Sequence, residues 1–235
     1  MDRPVDHAVD RDELKRAAAY RALDFVKDGM VVGLGTGSTA FHVVEGLGKR
    51  VAAGLSVVGI PTSERTAAQA RGLIIPLSSF AEHSAIDLTI DGADEVERDT
   101  LYLIKGLGGA LLREKIVAAA SRQLVIVVDQ EKLVDRLGDH GTPVPVEVAQ
   151  FGWQATAAAL TRLGAEPVLR HATEDHVFIT DGGNYILDCR FGRIADPKLL
   201  EQQIGMTVGV VESGLFIDRA KSVVVASETG IEILS

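Results

Sequence analysis

Three apolar runs of strand length limit the folds open to this chain. They span residues 30–34, 85–90 and 124–128, each runs into a glycine-rich or acidic turn, and helical stretches separate them. Before the first run, Leu14, Ala17, Ala18, Ala22, Phe25 and Val26 recur at helical spacing, while Lys15, Arg16 and Asp24 face elsewhere. Asp10 followed by Glu13 reads as a capping box for that helix, and Gly29 as its stop. A second helical stretch runs through Arg50. A strand-like segment at 55–60, a helix around 63–71 and a strand-like segment at 73–77 follow. Such alternation predicts parallel strands joined by crossover helices, an open α/β sheet and not a sandwich.

The rhythm changes after about residue 135. Gly141-Thr-Pro-Val-Pro is a joint rich in chain breakers. Beyond it, PVEVAQ reads as a strand, residues 153–163 as a helix and 167–170 as a strand. VFITDGGNYILDCRF reads as two strands around a Gly-Gly-Asn turn, 197–204 as a helix, and VGVVESGLF as a last strand. That β-α-β-β-α-β order predicts a smaller ferredoxin-like α+β domain inserted near the C-terminus. The division expected is a Rossmann-like, mostly parallel domain over 1–135 and 215–235, and the α+β domain over 136–214. The tail, KSVVVASETGIEILS, reads as one more buried strand and a short hairpin returning to the first sheet.

Composition narrows the function. Hydrophobic residues at 46% and charged residues at 24% of 235 exclude wholesale disorder. A net charge of −9 without a basic block makes a poor binder of nucleic acid or anionic membrane. The single cysteine, Cys189, cannot form an internal disulfide and reads as a buried thiol; no paired thiols suggest zinc. The first sixteen residues are charged from the second onward, unlike a secretory signal, and the apolar runs are far shorter than a membrane span. The expectation is a soluble cytoplasmic protein.

Three turns carry candidate chemistry. GLGTGST at 33–39 lies between a strand and a helix, where glycines admit close backbone approach and a helix N-terminus favours an anion. No lysine precedes Ser38-Thr39 as in a Walker loop, and the glycine spacing is not the dinucleotide fingerprint. A plain tight turn and a phosphate or sugar cradle both remain open. DGADE at 91–95 ends an apolar run, at the strand end that faces the ligand crevice of an open sheet. A solvated acidic turn is the alternative; Ala93 argues against a calcium loop, and a magnesium role for Asp91 and Asp94 stays open although the ligand count is short. In KGLGGALLREK at 105–115, Lys105, the loop backbone and Glu114 could converge in a crevice. The nearby cation lowers the carboxyl pKa and burial raises it, so the sum can leave a usable base. A capped amphipathic helix with a charged face is the other reading.

GLGTGSTA, TSERT at 62–66, DGADE, KGLGGALLREK, DQEKLVDRLG at 129–138, PVPVEV, TDGGNYILD and VVESGLF come in one order along nearly the whole chain. In that order they resemble the type A ribose-5-phosphate isomerases. The resemblance implies reversible conversion of D-ribose 5-phosphate to D-ribulose 5-phosphate through a cis-enediolate. It places the catalytic base on Glu114. It places substrate-binding segments on Thr36, Gly37, Ser38 and Thr39, on Asp91, Gly92, Ala93 and Asp94, on Lys105, Gly106, Leu107 and Gly108, and on Lys132. Lys15 matches a lysine of the first helix near the phosphate. By these roles Lys105 and the N–H groups of Gly106, Leu107 and Gly108 supply the developing oxyanion, and Asp91 and Asp94 hold sugar hydroxyls and assist ring opening. Lys15, Lys132, Ser38 and Thr39 receive the phosphate. No cofactor and no metal is implied, and a homodimer or homotetramer is expected. The family's loop usually reads K-G-G-G-A-A, whereas Leu107 and Gly109 stand here; a positive φ at Leu107 would cost about 1 kcal/mol or more.

His42, His83, His171 and His176 lack metal-ligand spacing, and Trp153 reads as core of the smaller domain. Two rival classes share the sheet: a sugar-phosphate sensor without catalysis, and a CoA transferase whose glutamate attacks a thioester. The sensor class would call for a DNA-reading helix pair and a basic face, and neither is visible.

Overall fold

The computed structural model of the chain describes residues 11–235. Asp10, and with it the capping box expected for the first helix, lies outside the described residues. Helix α1 (Arg11–Ala22) packs Ala18, Ala19 and Ala22 against the sheet and ends in a single 3₁₀ turn before Gly29 reverses the chain. Strand β1 (Val31–Leu34), helix α2 (Ser38–Ala52), strand β2 (Val58–Pro61), helix α3 (Glu64–Gly72) and strand β3 (Leu88–Asp91) follow as the alternation predicts. Ser63 caps α3 by accepting from the Thr66 N–H. Residues 73–77 are not a strand. Ile74 takes a φ of 58° and is exposed, so the chain turns there, and only Leu77 makes an isolated bridge to Gly59.

The next segment holds strands the periodicity does not reveal. β4 (Glu95–Glu97) and β5 (Leu103–Ile104) lead to helix α4 (Leu111–Ala119), strand β6 (Leu124–Asp129) and the two-residue β7 (Leu133–Val134). Then come β8 (Val144–Val148), α5 (Trp153–Arg162), β9 (Glu166–Leu169), the short pair β10 (His171–Thr173) and β11 (His176–Val177), and β12 (Tyr185–Arg190). Helix α6 (Pro197–Gly205), β13 (Val210–Ser213), β14 (Leu215–Phe216), β15 (Ser222–Ser227) and β16 (Gly230–Leu234) complete the chain.

The main sheet has the order β16-β15-β6-β3-β1-β2, parallel except for the edge strand β16. Every residue of β6 is buried, as a strand covered on both faces requires. One face packs on α1 and α2 through Ala19, Val44 and Leu47, and the other packs around Phe216 and Ile126. A second, wholly antiparallel sheet has the order β13-β8-β12-β9, with Trp153 of α5 and Ile204 of α6 packed on its core. Taken in chain order those four strands run 4-1-3-2, the ferredoxin-like arrangement of the β-α-β-β-α-β pattern.

Two strand expectations fail at their edges. Val177–Thr180 does not join this sheet: only His176 and Val177 are paired, and they pair with β10. VGVVESGLF is split at Gly214 into β13 and β14, which belong to different sheets. The Lys105 N–H donates to the Gly214 carbonyl at 2.8 Å, and a third sheet, β14-β5-β4-β7, starts there. Cys189 is fully buried on β12, and burial pushes its thiol up to about 12. Among the described residues no helix is long and apolar enough to cross a membrane.

Candidate active site

The carboxyl ends of β1, β3 and β6 open on one cavity of about 300 Å³, at the edge where open parallel sheets bind ligands. Its base is built on Asp91, the last residue of β3. One Asp91 oxygen accepts the N–H groups of Thr36, at 3.0 Å, and Gly92, at 2.8 Å. Gly35 makes this possible, because a Cβ there would stand 2.2 Å from that same oxygen. The glycine turn therefore makes its close approach to a carboxylate of the protein itself. TSERT braces the turn from the other side. The Thr36 hydroxyl meets Thr62 at 2.7 Å and Ser63 at 2.8 Å, and the Thr66 hydroxyl donates to the Gly35 carbonyl.

Helix α2 starts immediately after this turn with Gly37 at its N-cap, a residue with no side chain to cap the first N–H groups. Ser38 and Thr39 open the helix at the cavity, and Lys15 from α1 and Lys132 after β6 also line it. Helix N-terminal N–H groups, hydroxyls and two ammonium groups are a combination that can hold a dianion.

The other wall carries the acid-base groups. Lys105 follows β5, and Glu114 lies in the first turn of α4. The Lys105 ammonium stands 3.1 Å from the free oxygen of Asp91 and 3.1 Å from Oε1 of Glu114, and it also donates to the Gly92 carbonyl. Two hydrogen bonds and an ion pair thus hold this ammonium inside the protein. Burial opposes its charge, but Asp91, Glu114 and Asp94 outweigh burial and raise its pKa. Burial, the largest influence on Glu114, pushes its carboxyl well above the ordinary range; the Lys105 charge pulls it back, and Asp91 pushes it up again. Oε2 of Glu114 has no hydrogen-bond partner among the described residues. Burial also raises Asp94, against the opposing Leu107 N–H and the charge of Lys105.

Of the residues expected from the sequence, Lys15, Thr36, Gly37, Ser38, Thr39, Gly92, Ala93, Asp94, Lys105, Gly106, Gly108, Glu114 and Lys132 all line this cavity. Asp91 and Leu107 do not. Asp91 is buried beneath the lining and spent on Thr36, Gly92 and Lys105, so its place is that of a support, not of a group meeting sugar hydroxyls. The Leu107 N–H is not a free oxyanion donor, because it donates to Asp94 at 2.9 Å. The strain feared at Leu107 does not arise: Gly106 and Gly109 take the positive φ values, 107° and 84°.

Sequence reasoning missed Arg11, Asp129, Glu131, His140 and Thr142, which complete the lining. Asp129 had a usable signal, since it ends β6 as Asp91 ends β3. Arg11 reaches the site through a 2.7 Å ion pair with Glu131, a contact across 120 residues that no local pattern encodes. Among the described residues no cluster of three His, Cys, Asp or Glu side chains is arranged to hold a metal ion.

Comparison with known proteins gives the family and the fold. Residues 58–230 match the family model of ribose 5-phosphate isomerase A, phosphoriboisomerase A. The ribose-5-phosphate isomerase A of Gloeobacter violaceus is 64% identical over 227 residues, which cover 97% of this chain and 98% of that protein. The solved structure of ribose 5-phosphate isomerase A from Methanocaldococcus jannaschii superposes with a TM-score of 0.92 at 42% identity, covering 96% of this chain and all of that one. A D-ribose-5-phosphate isomerase in complex with phospho-erythronic acid gives 0.93 at 40% identity, over 97% of this chain and 100% of that one. On the family match, the identity over nearly the whole length and the shared fold, the chain belongs to the ribose 5-phosphate isomerase A family.

Proposed function

We propose that the chain interconverts D-ribose 5-phosphate and D-ribulose 5-phosphate, with Glu114 as the single acid-base group. The phosphate sits at the N-terminus of α2 with Lys15 and Lys132, and the sugar chain extends toward Lys105 and Glu114. In the open-chain aldose Glu114 takes the proton from C2. The C2–H electron pair forms the C1–C2 double bond, and the C1 carbonyl oxygen becomes the oxyanion of a cis-enediolate. The proton on the C2 oxygen passes to the C1 oxygen, the C2 carbonyl forms, and Glu114 returns its proton to C1. Atoms and electrons balance within substrate and carboxyl, so no external oxidant or reductant enters.

The observation that carries this reading is Oε2 of Glu114: buried, at the cavity and without a partner. An unpartnered carboxylate oxygen next to an ammonium-held Oε1 is a base whose lone pairs are free to take a proton. Lys105 supplies positive charge beside the oxygen that becomes negative, and Gly108 supplies an N–H. Asp94, on the cavity wall, meets sugar hydroxyls. The test is isomerisation of ribose 5-phosphate by the wild type and by Glu114→Gln. Glutamine keeps the shape but accepts no proton, so turnover should fall by at least ~100-fold while the sugar phosphate still binds. A folded variant with wild-type turnover would remove Glu114 from the mechanism.

A further inference from the structure

Behind the glycine loop stands an arginine that the mechanism above does not use. Arg170 follows β9, does not line the cavity, and has a side chain only 12% exposed. One edge of its guanidinium grips the carboxylate of Asp188 on the neighbouring strand β12, with Nε 2.9 Å from Oδ2 and Nη2 on Oδ1. The remaining nitrogen, Nη1, donates to two successive loop carbonyls, Gly106 at 3.0 Å and Leu107 at 3.1 Å. The Phe178 ring lies against the guanidinium at 5.8 Å and also packs on Gly109, where a Cβ would come within 2.4 Å of it.

Those two carbonyls belong to the two peptide planes that matter most to the site. In a trans peptide the N–H points opposite to the C=O, and no cis bond occurs here. In the plane joining Gly106 and Leu107, the carbonyl is held by Arg170 and the N–H donates to the Asp94 carboxylate. In the next plane Arg170 holds the Leu107 carbonyl, so the Gly108 N–H points the other way; it has no acceptor among the described residues, and Gly108 lines the cavity. One guanidinium, joined on the Gly106 carbonyl by the Gly109 N–H at 3.0 Å, therefore holds both peptide planes at once.

We infer that Arg170, held by Asp188, is a positioning residue for the isomerisation, acting through the peptide planes at 106–108. The inference rests on the proposed function of the cavity. Arginine is suited to the place because its planar fork serves a carboxylate and two carbonyls together. A lysine ammonium cannot span both. Preorganised donors act chiefly on charge that develops in the transition state, so the loss should fall on kcat and not on ground-state binding.

The experiment uses the whole chain with Arg170→Gln, Arg170→Lys and Asp188→Asn, each checked for folding by thermal melting above the assay temperature. Arg170→Gln should lower kcat by roughly 10- to 100-fold while KM for ribose 5-phosphate stays within about 3-fold. Arg170→Lys should stay within about 3-fold of the glutamine variant, because charge without the fork does not restore the planes. Asp188→Asn should show a smaller loss of the same kind. Phospho-erythronic acid, whose carboxylate imitates the paired oxygens of the enediolate, should weaken as an inhibitor in step with the fall in kcat/KM. Wild-type kcat in a folded Arg170→Gln, full recovery by lysine, or a loss confined to KM or to melting temperature would overturn the inference. Should Arg170→Gln fail to fold, the other two variants decide by the same kcat and inhibitor measures. A wild type with no isomerase activity would instead overturn the proposed function, so the two failures are distinguishable.

Discussion

Lys105 and Glu114, nine residues apart in the chain, meet at 3.1 Å with both side chains buried. The contact exists because β5 is pinned between β4 and β14, so the chain must reverse through the glycine loop before α4 begins. An ammonium and a carboxyl group removed from water interact far more strongly than the same pair would at the surface. Their shared environment, with Asp91 on the far side of the ammonium, sets the protonation of the base.

That environment predicts a displaced acid limb in the pH profile. As the proposed base Glu114 must be ionised, and burial raises its pKa, so kcat/KM should fall with decreasing pH at a midpoint well above the ordinary glutamate value of about 4.3. Lys105→Met removes the charge that opposes the rise. The limb of its residual activity should therefore move to still higher pH, with kcat reduced. A limb that stays or moves down would contradict the electrostatic account. For stability the sign is opposite: the folded state holds this proton more tightly than the unfolded one, and that contribution is lost as pH rises through the folded pKa.

Lys132 and Lys15 line the cavity, and the proposed function puts the phosphate beside them. Lys132→Ala should raise KM by roughly tenfold, about the worth of one charge-assisted hydrogen bond, with kcat little changed. Steady-state kinetics on ribose 5-phosphate check this. An equal loss in kcat with KM unchanged would show that Lys132 serves the transition state.

Gly35→Ala tests the support beneath the cavity. The new methyl would meet the Asp91 carboxylate at 2.2 Å and its Cα at 2.6 Å, and backbone cannot yield as a flexible side-chain tip does. Overpacking of this kind costs about 1–3 kcal/mol, and each kcal/mol lowers the melting temperature of a domain this size by roughly 2–4 °C. Calorimetry should register that shift together with a loss of turnover, since Asp91 holds both Thr36 and Lys105. A fully active, equally stable variant would contradict the packing argument.

Chelation should leave turnover unchanged. The Lys105 ammonium lies 3.1 Å from both the Asp91 and Glu114 carboxylates, filling with a fixed cation the place a divalent ion would take between them. Activity that disappears after exhaustive treatment with a chelator and returns with magnesium or zinc would turn Asp91 and Asp94 into ligand candidates.

The sequence alone determined the classes of element and the kind of place where chemistry could occur. Apolar runs such as 124–128 and the helical spacing from Leu14 to Val26 are local properties, and local patterns survive in β6 and α1. The glycine and acidic turns after β1 and β3 were legible for the same reason, because strand ends of a parallel sheet share one edge. Tertiary structure decided what each polar group does there. Asp91 became a support and Leu107 gave its N–H to Asp94, because partners arrive from distant turns. Arg11 entered through Glu131, 120 residues away, and Arg170 reached Gly106 across 64 residues. Residues 73–77 and 208–216 read alike as strands, yet Ile74 turns the first out of any sheet and Gly214 divides the second between two. Periodicity records which way a side chain faces within a few residues. Hydrogen-bond partners and burial are fixed only when segments far apart in the chain pack together.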